Sequence, residues 1–313
     1  MRRKVSRIGP TTLMVSLPSK WVKENKISKG DELDLDFNKD KVTFSKSHLK
    51  KGSKEIILNI DSLGYFYLTR YLTILYRMHY SKIILTYSKK EIFHDKRGIS
   101  YPIKGAIKKA MSRFMGAEVI SQTSDKTEIE FFVSNEKTDL DKIGKRIYFL
   151  IKETMEELFE SIGKDYGRFH EEMINHHDNI VKFINYFLRE LSNSDLSEDE
   201  QKVAYSFYII VDKLIDSLRD LSGEIDKFGS TPKTTKYLKE AFEIFYLSYE
   251  MVDKEEISQE VVKKRRAFLT KLKNDKLAQK ESGIISELKV FMDIINEFVE
   301  YVIIRTINKK TDS

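Results

Sequence analysis

Residues Arg3–Phe37 read RKVSRIGPTTLMVSLPSKWVKENKISKGDELDLDF, and this stretch decides how the chain begins to fold. A short basic strand, Arg2–Arg7, runs into Gly9–Pro10, a turn signal. Thr12 to Leu17 form a second strand rich in β-formers, closed by Pro18. Ser19 is placed to cap a short helix over SKWVKENK, which ends before the turn Ser28-Lys29-Gly30. Strict alternation follows, with Leu33, Leu35 and Phe37 apolar and Glu32, Asp34 and Asp36 polar. After a turn at Asn38–Asp40, a further strand carries Val42 and Phe44 on its inner face. The predicted order is β-β-α-β-β.

Four strands this short bury too little apolar surface for a stable core, because segments below roughly 40 to 60 residues usually need support. A dimer with interleaved strands would supply the missing core. The charge points to what such a dimer would hold. Residues 1–50 carry 12 Lys/Arg against 6 Asp/Glu, whereas the remaining 263 residues carry 43 of each. Residues 1–30 alone have eight basic side chains against the single Glu24. A basic end of this kind reads as a surface for a polyanion, with nucleic acid the first candidate.

Positions 2–46 as a whole resemble the swapped-hairpin DNA-binding domain of the AbrB/SpoVT/MazE superfamily. The matching features are the basic first strand, Gly9, the strand TLMVSLP and the turn KGDEL leading into alternating strands. The resemblance implies a homodimer that presents Arg3, the loop Pro10 to Thr12 (hence Thr11 and Thr12) and Lys23 to double-stranded DNA. Charge and proximity add Arg2, Lys4, Arg7 and Lys20 to that surface. Many members of the family carry Arg directly after the glycine; Pro10 stands there in this chain, so Arg7 is expected to take over that contact. Two copies of the basic strand would touch up to about 8 phosphates, giving a log–log salt slope near roughly −7.

The rest of the composition narrows the classes. The chain has 313 residues, 13 Gly, 4 Pro and no cysteine, with 33% charged residues. A helix-rich, multidomain protein follows, without disulfides, thiolate metal sites or cysteine nucleophiles. No apolar run reaches the ~18 residues of a membrane span, and MRRKVSRIG is followed by no apolar segment of a secretory signal, so a cytoplasmic protein is expected.

Residues 54–133 change texture. EIILNI and KIILTY are short apolar strands around the helical pattern SLGYFYLTRYLTILYRMHY; a second helix, IKGAIKKAMSRFM, precedes AEVISQT and EIEFFV. A small β-α-β-α-β-β layer is predicted, with no glycine loop of the phosphate-cradling type. The run Tyr65, Tyr67, Tyr71, Tyr76 and Tyr80 offers base-stacking rings, but at helical spacing among Leu and Ile it reads as core.

From residue 139 to 308 the pattern is helical, with Ile147, Leu150, Ile151, Met155 and Leu158 at spacings of three and four. Helices are predicted near 139–165, 169–191, 198–223, 232–252, 257–280 and 283–308. They divide into two sets of three, and the third helix of each carries an acidic pair four residues apart: Asp212 and Asp216, then Asp293 and Glu297. This layout is similar to the PhoU family of phosphate-uptake regulators, with its two three-helix bundles. The whole chain then resembles an archaeal-type phosphate uptake regulator. The predicted fold is multidomain and mainly α: a swapped-hairpin β domain over 1–50, a small α/β domain over 51–138, a PhoU-like pair of three-helix bundles over 139–308 and a disordered tail over 309–313.

The PhoU resemblance implies (E/D)xxxD motifs that bind metal clusters, which would put a divalent metal or iron at Asp212, Asp216, Asp293 and Glu297. Read from the residues themselves, about eight such acid pairs arise by chance at this composition. The middle helix of the first bundle offers His177 and Val181 where the PhoU resemblance implies carboxylates, and VVKKRRAFLT at 261–270 is basic instead. An ion-paired or solvated helix face is therefore the expectation. His170 and His177 share a helix face beside His176 and Asp178, and read as surface histidines.

Two functions follow from these readings. The first is a DNA-binding transcription regulator whose helical half receives a signal tied to phosphate supply. The second is an adaptor that docks a phosphate transporter ATPase or a sensor kinase and uses its N-terminal domain only to dimerise. Antitoxins of the swapped-hairpin superfamily carry short tails rather than the long helical remainder present here. No glycine loop, triad order or cysteine supports catalysis, so no enzyme is expected.

Overall fold

Alternation and β-branched residues build hairpins at the N-terminus of the protein, and i, i+3, i+4 apolar spacing builds helices after it. The structure, a computed structural model, describes residues 2–37, 42–46, 54–95, 98–132, 138–162, 164, 166–275 and 281–311. Helix makes up 63% of it, in nine α-helices among the described residues, with small β-sheets beside them. Two compact units result, Met1–Lys54 and Glu55–Ser313.

In the first unit β1 (Val5–Ile8) pairs antiparallel with β2 (Thr12–Val15). Helix α1 (Ser19–Glu24) follows Pro18, which sits at the cap position; Ser19 is the first helical residue and makes no capping hydrogen bond, contrary to the sequence expectation. β3 (Leu33–Phe37) pairs antiparallel with β4 (Val42–Lys46) in the register Leu35↔Phe44 and Phe37↔Val42. The expected Asn38–Asp40 turn lies outside the described residues. Gly9 turns β1 into β2 at φ +75, a left-handed conformation that disfavours any side chain.

The second unit opens with β5 (Lys54–Asn59), α2 (Tyr65–Arg77) and β6 (Tyr80–Thr86), then α3 (Ile103–Met111), β9 (Ala117–Gln122) and β10 (Lys126–Phe131). Between β6 and α3 the sequence reading missed a hairpin, β7 (Glu91–His94) with β8 (Ile99–Pro102). Helix α3 also stops at Met111, short of the predicted Met115. The sheet order is β5-β6-β10-β9, with β10 antiparallel to both neighbours. One sheet face (Ile83, Leu85, Ile129, Phe131) is buried under Leu68, Leu72 and Tyr76 of α2 and Ile103 and Ile107 of α3. The opposite face carries a charged ladder in which Lys82 reaches Glu128 (3.1 Å) and Glu130 (3.4 Å).

Six long helices complete the unit: α4 (Leu140–Ser161), α5 (Tyr166–Glu190), α6 (Glu198–Phe228), α7 (Pro232–Lys254), α8 (Gln259–Asn274) and α9 (Ser282–Thr311). Their starts are written in the sequence. Asp139 and Ser258 accept hydrogen bonds from first-turn amides, and Ser197 with Glu200 and Thr231 with Thr234 form reciprocal capping boxes. Helix α9 runs on to Thr311, past the predicted end at 308. Helices α4, α5 and α6 pack in chain order, as do α7, α8 and α9; α6 lies on α9 and α4 on α7. They share one apolar core that includes Met155, Met173, Leu214, Phe242, Phe268 and Phe291. Helix α2 packs on α5, which ties the sheet layer to the helices. No helix among the described residues is long and apolar enough to cross a membrane.

Candidate nucleic-acid interface and the polar cluster of the helical half

In the first unit every cationic and loop residue picked from the sequence is exposed: Arg2, Arg3, Lys4, Arg7, Thr11, Thr12, Lys20 and Lys23. Lys20 lies 3.9 Å from Glu24 on the surface of α1, a pair worth little in water. Among the described residues Arg2, Arg3, Lys4, Arg7 and Lys23 make no ion pair. Hairpin register separates two members of the set. Arg7 stands opposite Leu13 and shares a face with Val5 and Val15, whereas Thr12 stands opposite Ile8 on the other face. The hairpin alone therefore does not aim Arg7 and Thr12 at one groove.

The apolar residues of this unit are as exposed as the basic ones. No residue from 2 to 46 whose exposure is described is buried. Val5, Ile8, Leu13, Met14 and Val15 on the first hairpin are open, and so are Leu35, Val42 and Phe44 on the second, where Phe37 is 76% exposed. In β3–β4 these side chains fall on one face, with Asp34, Thr43 and Ser45 on the other. An apolar sheet face of this kind, left open to water, marks an association surface.

The acidic pairs of the helical half have different surroundings. Asp216 Oδ1 accepts from Arg219 Nη1 at 2.6 Å and lies 3.0 Å from His177 Nε2, which is itself 3.0 Å from Arg219 Nη1. His177 Nδ1 lies 3.0 Å from Asp178 Oδ1, and Asp178 accepts from Arg113 Nε at 2.9 Å. Asp212 lies 3.7 Å from Arg77. Burial pushes the Asp216 carboxyl up, but the His177 hydrogen bond and the Arg219 charge outweigh it and bring it down to about 2. At Asp212 burial wins over the Arg77 charge, and its carboxyl is raised.

Between α8 and α9, Arg265 Nη2 donates to Asp293 at 2.9 Å while its Nε donates to the Met292 carbonyl. Asp293 is otherwise open to water, and Glu297 sits half-buried one turn on. Among the described residues no three His, Asp or Glu side chains stand together as a metal would need. Guanidinium groups occupy the places beside Asp212, Asp216 and Asp293, and this donor set does not fit a divalent metal or iron. It is an ion-pair cluster.

The histidine reading needs correction. His177 is 3% exposed, enclosed by Asp178, Asp216 and Arg219. His170 is half-buried against Ser222 Oγ at 3.1 Å. The tyrosine run divides as well: Tyr65 and Tyr76 are core, while Tyr67 and Tyr71 are exposed together with Ile74 and Met78 on the outer stripe of α2. The arginines that complete the polar cluster, Arg77, Arg113 and Arg219, were missed. Only Arg219 had a local signal, its i, i+3 spacing from Asp216.

No protein-family model, curated protein or solved structure matches the chain.

Proposed function

We propose that the protein is a dimeric DNA-binding transcription regulator of phosphate uptake, with a helical half that receives a signal or a partner. The observation that carries this reading is the coincidence, within one small unit, of open apolar strand faces and a dense set of unpaired cations. Leu35, Phe37, Val42 and Phe44 require a covering surface, and a second copy of the same hairpins is the simplest one. Arg2, Arg3, Lys4 and Arg7 then stand near a two-fold axis, twice over, as duplex phosphates require. The phosphate link and the swapped-hairpin and PhoU-like assignments rest on the resemblance drawn from the sequence.

An electrophoretic shift assay on the gene's own upstream region tests the reading. The wild-type chain should give a shift that fades as salt rises, and Arg3→Ala/Lys4→Ala should lose most of it. A salt-sensitive shift left intact by that variant would reject the assigned surface.

A second reading, an adaptor that docks a transporter ATPase or sensor kinase, is favoured by one feature. The outer stripe of α2 exposes Tyr67, Tyr71, Ile74 and Met78 beside Arg70, a composition typical of protein interfaces. Pull-down combined with the shift assay separates the two, since an adaptor captures its partner while the wild-type chain shifts no DNA.

A further inference from the structure

The helical half, residues 139–313, is acidic as a whole, with 28 Lys/Arg against 34 Asp/Glu, but its charge is segregated. Helix α8 carries six Lys/Arg (Lys263, Lys264, Arg265, Arg266, Lys271 and Lys273) against the single Glu260. Three of the six are engaged. Arg265 holds Asp293, Lys264 lies 2.8 Å from Glu260, and Lys271 pairs with Glu240. The other three, Lys263, Arg266 and Lys273, are exposed and make no ion pair among the described residues. At 100° per residue the three cations fall within about one quarter of the helix circumference, and with Thr270, Asn274 and Ala267 they occupy about one third of it, opposite the buried Val261, Phe268 and Leu272. The free face therefore holds cations spread over about 15 Å of helix, with the small residues Ala267, Thr270 and Asn274 beside them and no acid or aromatic.

We infer that this face of α8 is a second contact for the phosphate backbone of duplex DNA, separate from the N-terminal strands. Charge complementarity identifies the occupant. Lysine is depleted from the cores of protein interfaces and aromatics are enriched there, whereas α8 shows the reverse. Interfaces with nucleic acid are polar and strongly cationic, and contacts to phosphate need neither base readout nor apolar anchors. Lysine and arginine side chains on a rigid helix also reach out from a fixed line, which suits the regular spacing of phosphates along one strand. The inference rests on the DNA-binding reading of the chain but not on the residues assigned to it.

Binding of a labelled random-sequence duplex by the full chain, followed by anisotropy over a series of salt concentrations, tests the inference. Three proteins are compared: wild type, Lys263→Gln/Arg266→Gln/Lys273→Gln, and Arg3→Ala/Lys4→Ala. Glutamine keeps helix propensity, and an unchanged melting temperature verifies the fold. The α8 variant is expected to bind about tenfold more weakly and to lose roughly 2 to 3 from the log–log salt slope per protomer. If its affinity and slope match wild type while Arg3→Ala/Lys4→Ala weakens binding, the α8 inference is overturned and the N-terminal reading stands. If only the α8 variant weakens binding, the inference stands and the N-terminal surface is wrong. Displacement of the duplex by poly-glutamate at equal charge concentration would make α8 a dock for acidic proteins instead, and would overturn it.

Discussion

Arg77, the last residue of α2, donates from both Nε and Nη2 to the side-chain oxygen of Asn185 in the C-terminal part of α5, at 2.9 and 2.7 Å. The Asn185 amide in turn donates to the Arg113 carbonyl at 3.0 Å, so one fully buried side chain joins α2 and the turn after α3 to the helical half. Arg189, one turn further along α5, donates to the Tyr76 carbonyl and lies over the Tyr76 and Phe131 rings. These polar bonds sit where two apolar cores meet, and they fix the register of that junction. Asn185→Ala would leave the nearly enclosed Arg77 guanidinium with Asp212, 3.7 Å away, and would remove the amide donor to the Arg113 carbonyl, at a cost of about 1–3 kcal/mol. Urea denaturation measures this. A loss below about 0.5 kcal/mol, within the range of an ordinary surface change, would mean that the junction does not depend on Asn185.

Much of this architecture is legible in the sequence because its signals are local. The Leu33–Leu35–Phe37 alternation gives β3, and Ser197, Thr231 and Ser258 mark the starts of α6, α7 and α8. The missed hairpin β7–β8 has only four residues per strand and polar positions on both. Helical spacing groups Tyr67 with Tyr71 and Tyr65 with Tyr76, but it does not say which group another layer will cover. The burial of His177 depends on Asp216 and Arg219 from α6 and, through Asp178, on Arg113 from the turn after α3; no sequence window contains them all.

Acid should loosen the polar cluster through Asp178. Burial pushes its carboxyl up, and the His177 hydrogen bond and the Arg113 charge more than offset that, holding it below the ordinary carboxylate range. A carboxyl depressed in the folded state contributes stability above its unfolded value of about 4, and that contribution is lost as pH falls through the folded value. Wild type should therefore lose stability below about pH 4, and Asp178→Asn should show a shallower acid limb from a lower starting point. Asp212 has the opposite sign: its raised carboxyl makes ionisation costly in the folded state, so Asp212→Asn should be neutral or stabilising at pH 7. Melting temperatures across a pH series compare the three proteins, and parallel curves for wild type and Asp178→Asn would contradict the assignment.

Tyr76 and Tyr71 lie on one helix but should respond differently to truncation. Tyr76 is fully buried, packs on Phe114 and Phe131 at 5.0 and 5.1 Å, and donates to the Met115 carbonyl at 3.1 Å. Tyr76→Ala is expected to cost about 3–5 kcal/mol and Tyr76→Phe about 1 kcal/mol. Tyr71→Ala should stay within about 0.5 kcal/mol of wild type, because its ring faces water. Chemical denaturation of the three variants decides, and a large loss at Tyr71 would show that the outer stripe of α2 is covered in solution.

Leu35 and Phe44 stand directly opposite each other across β3 and β4, with Phe37 and Val42 as the next pair on the same face. Each apolar side chain moved from water into an interface stabilises by about 1.5–3 kcal/mol, so two copies of this face supply most of what a small dimer needs. Leu35→Asp/Phe44→Asp places two carboxylates on the face of each copy, where pairing would bury them without partners. The dimer dissociation constant should rise by about a hundredfold or more, equivalent to about 2.7 kcal/mol. Sedimentation velocity over a dilution series reads the shift toward monomer, and the same sample should lose its salt-sensitive grip on duplex DNA, because half of the phosphate contacts leave with the partner. A variant that remains fully dimeric would move the association surface elsewhere, and one that turns monomeric yet binds DNA undiminished would uncouple the cationic strand from dimerisation.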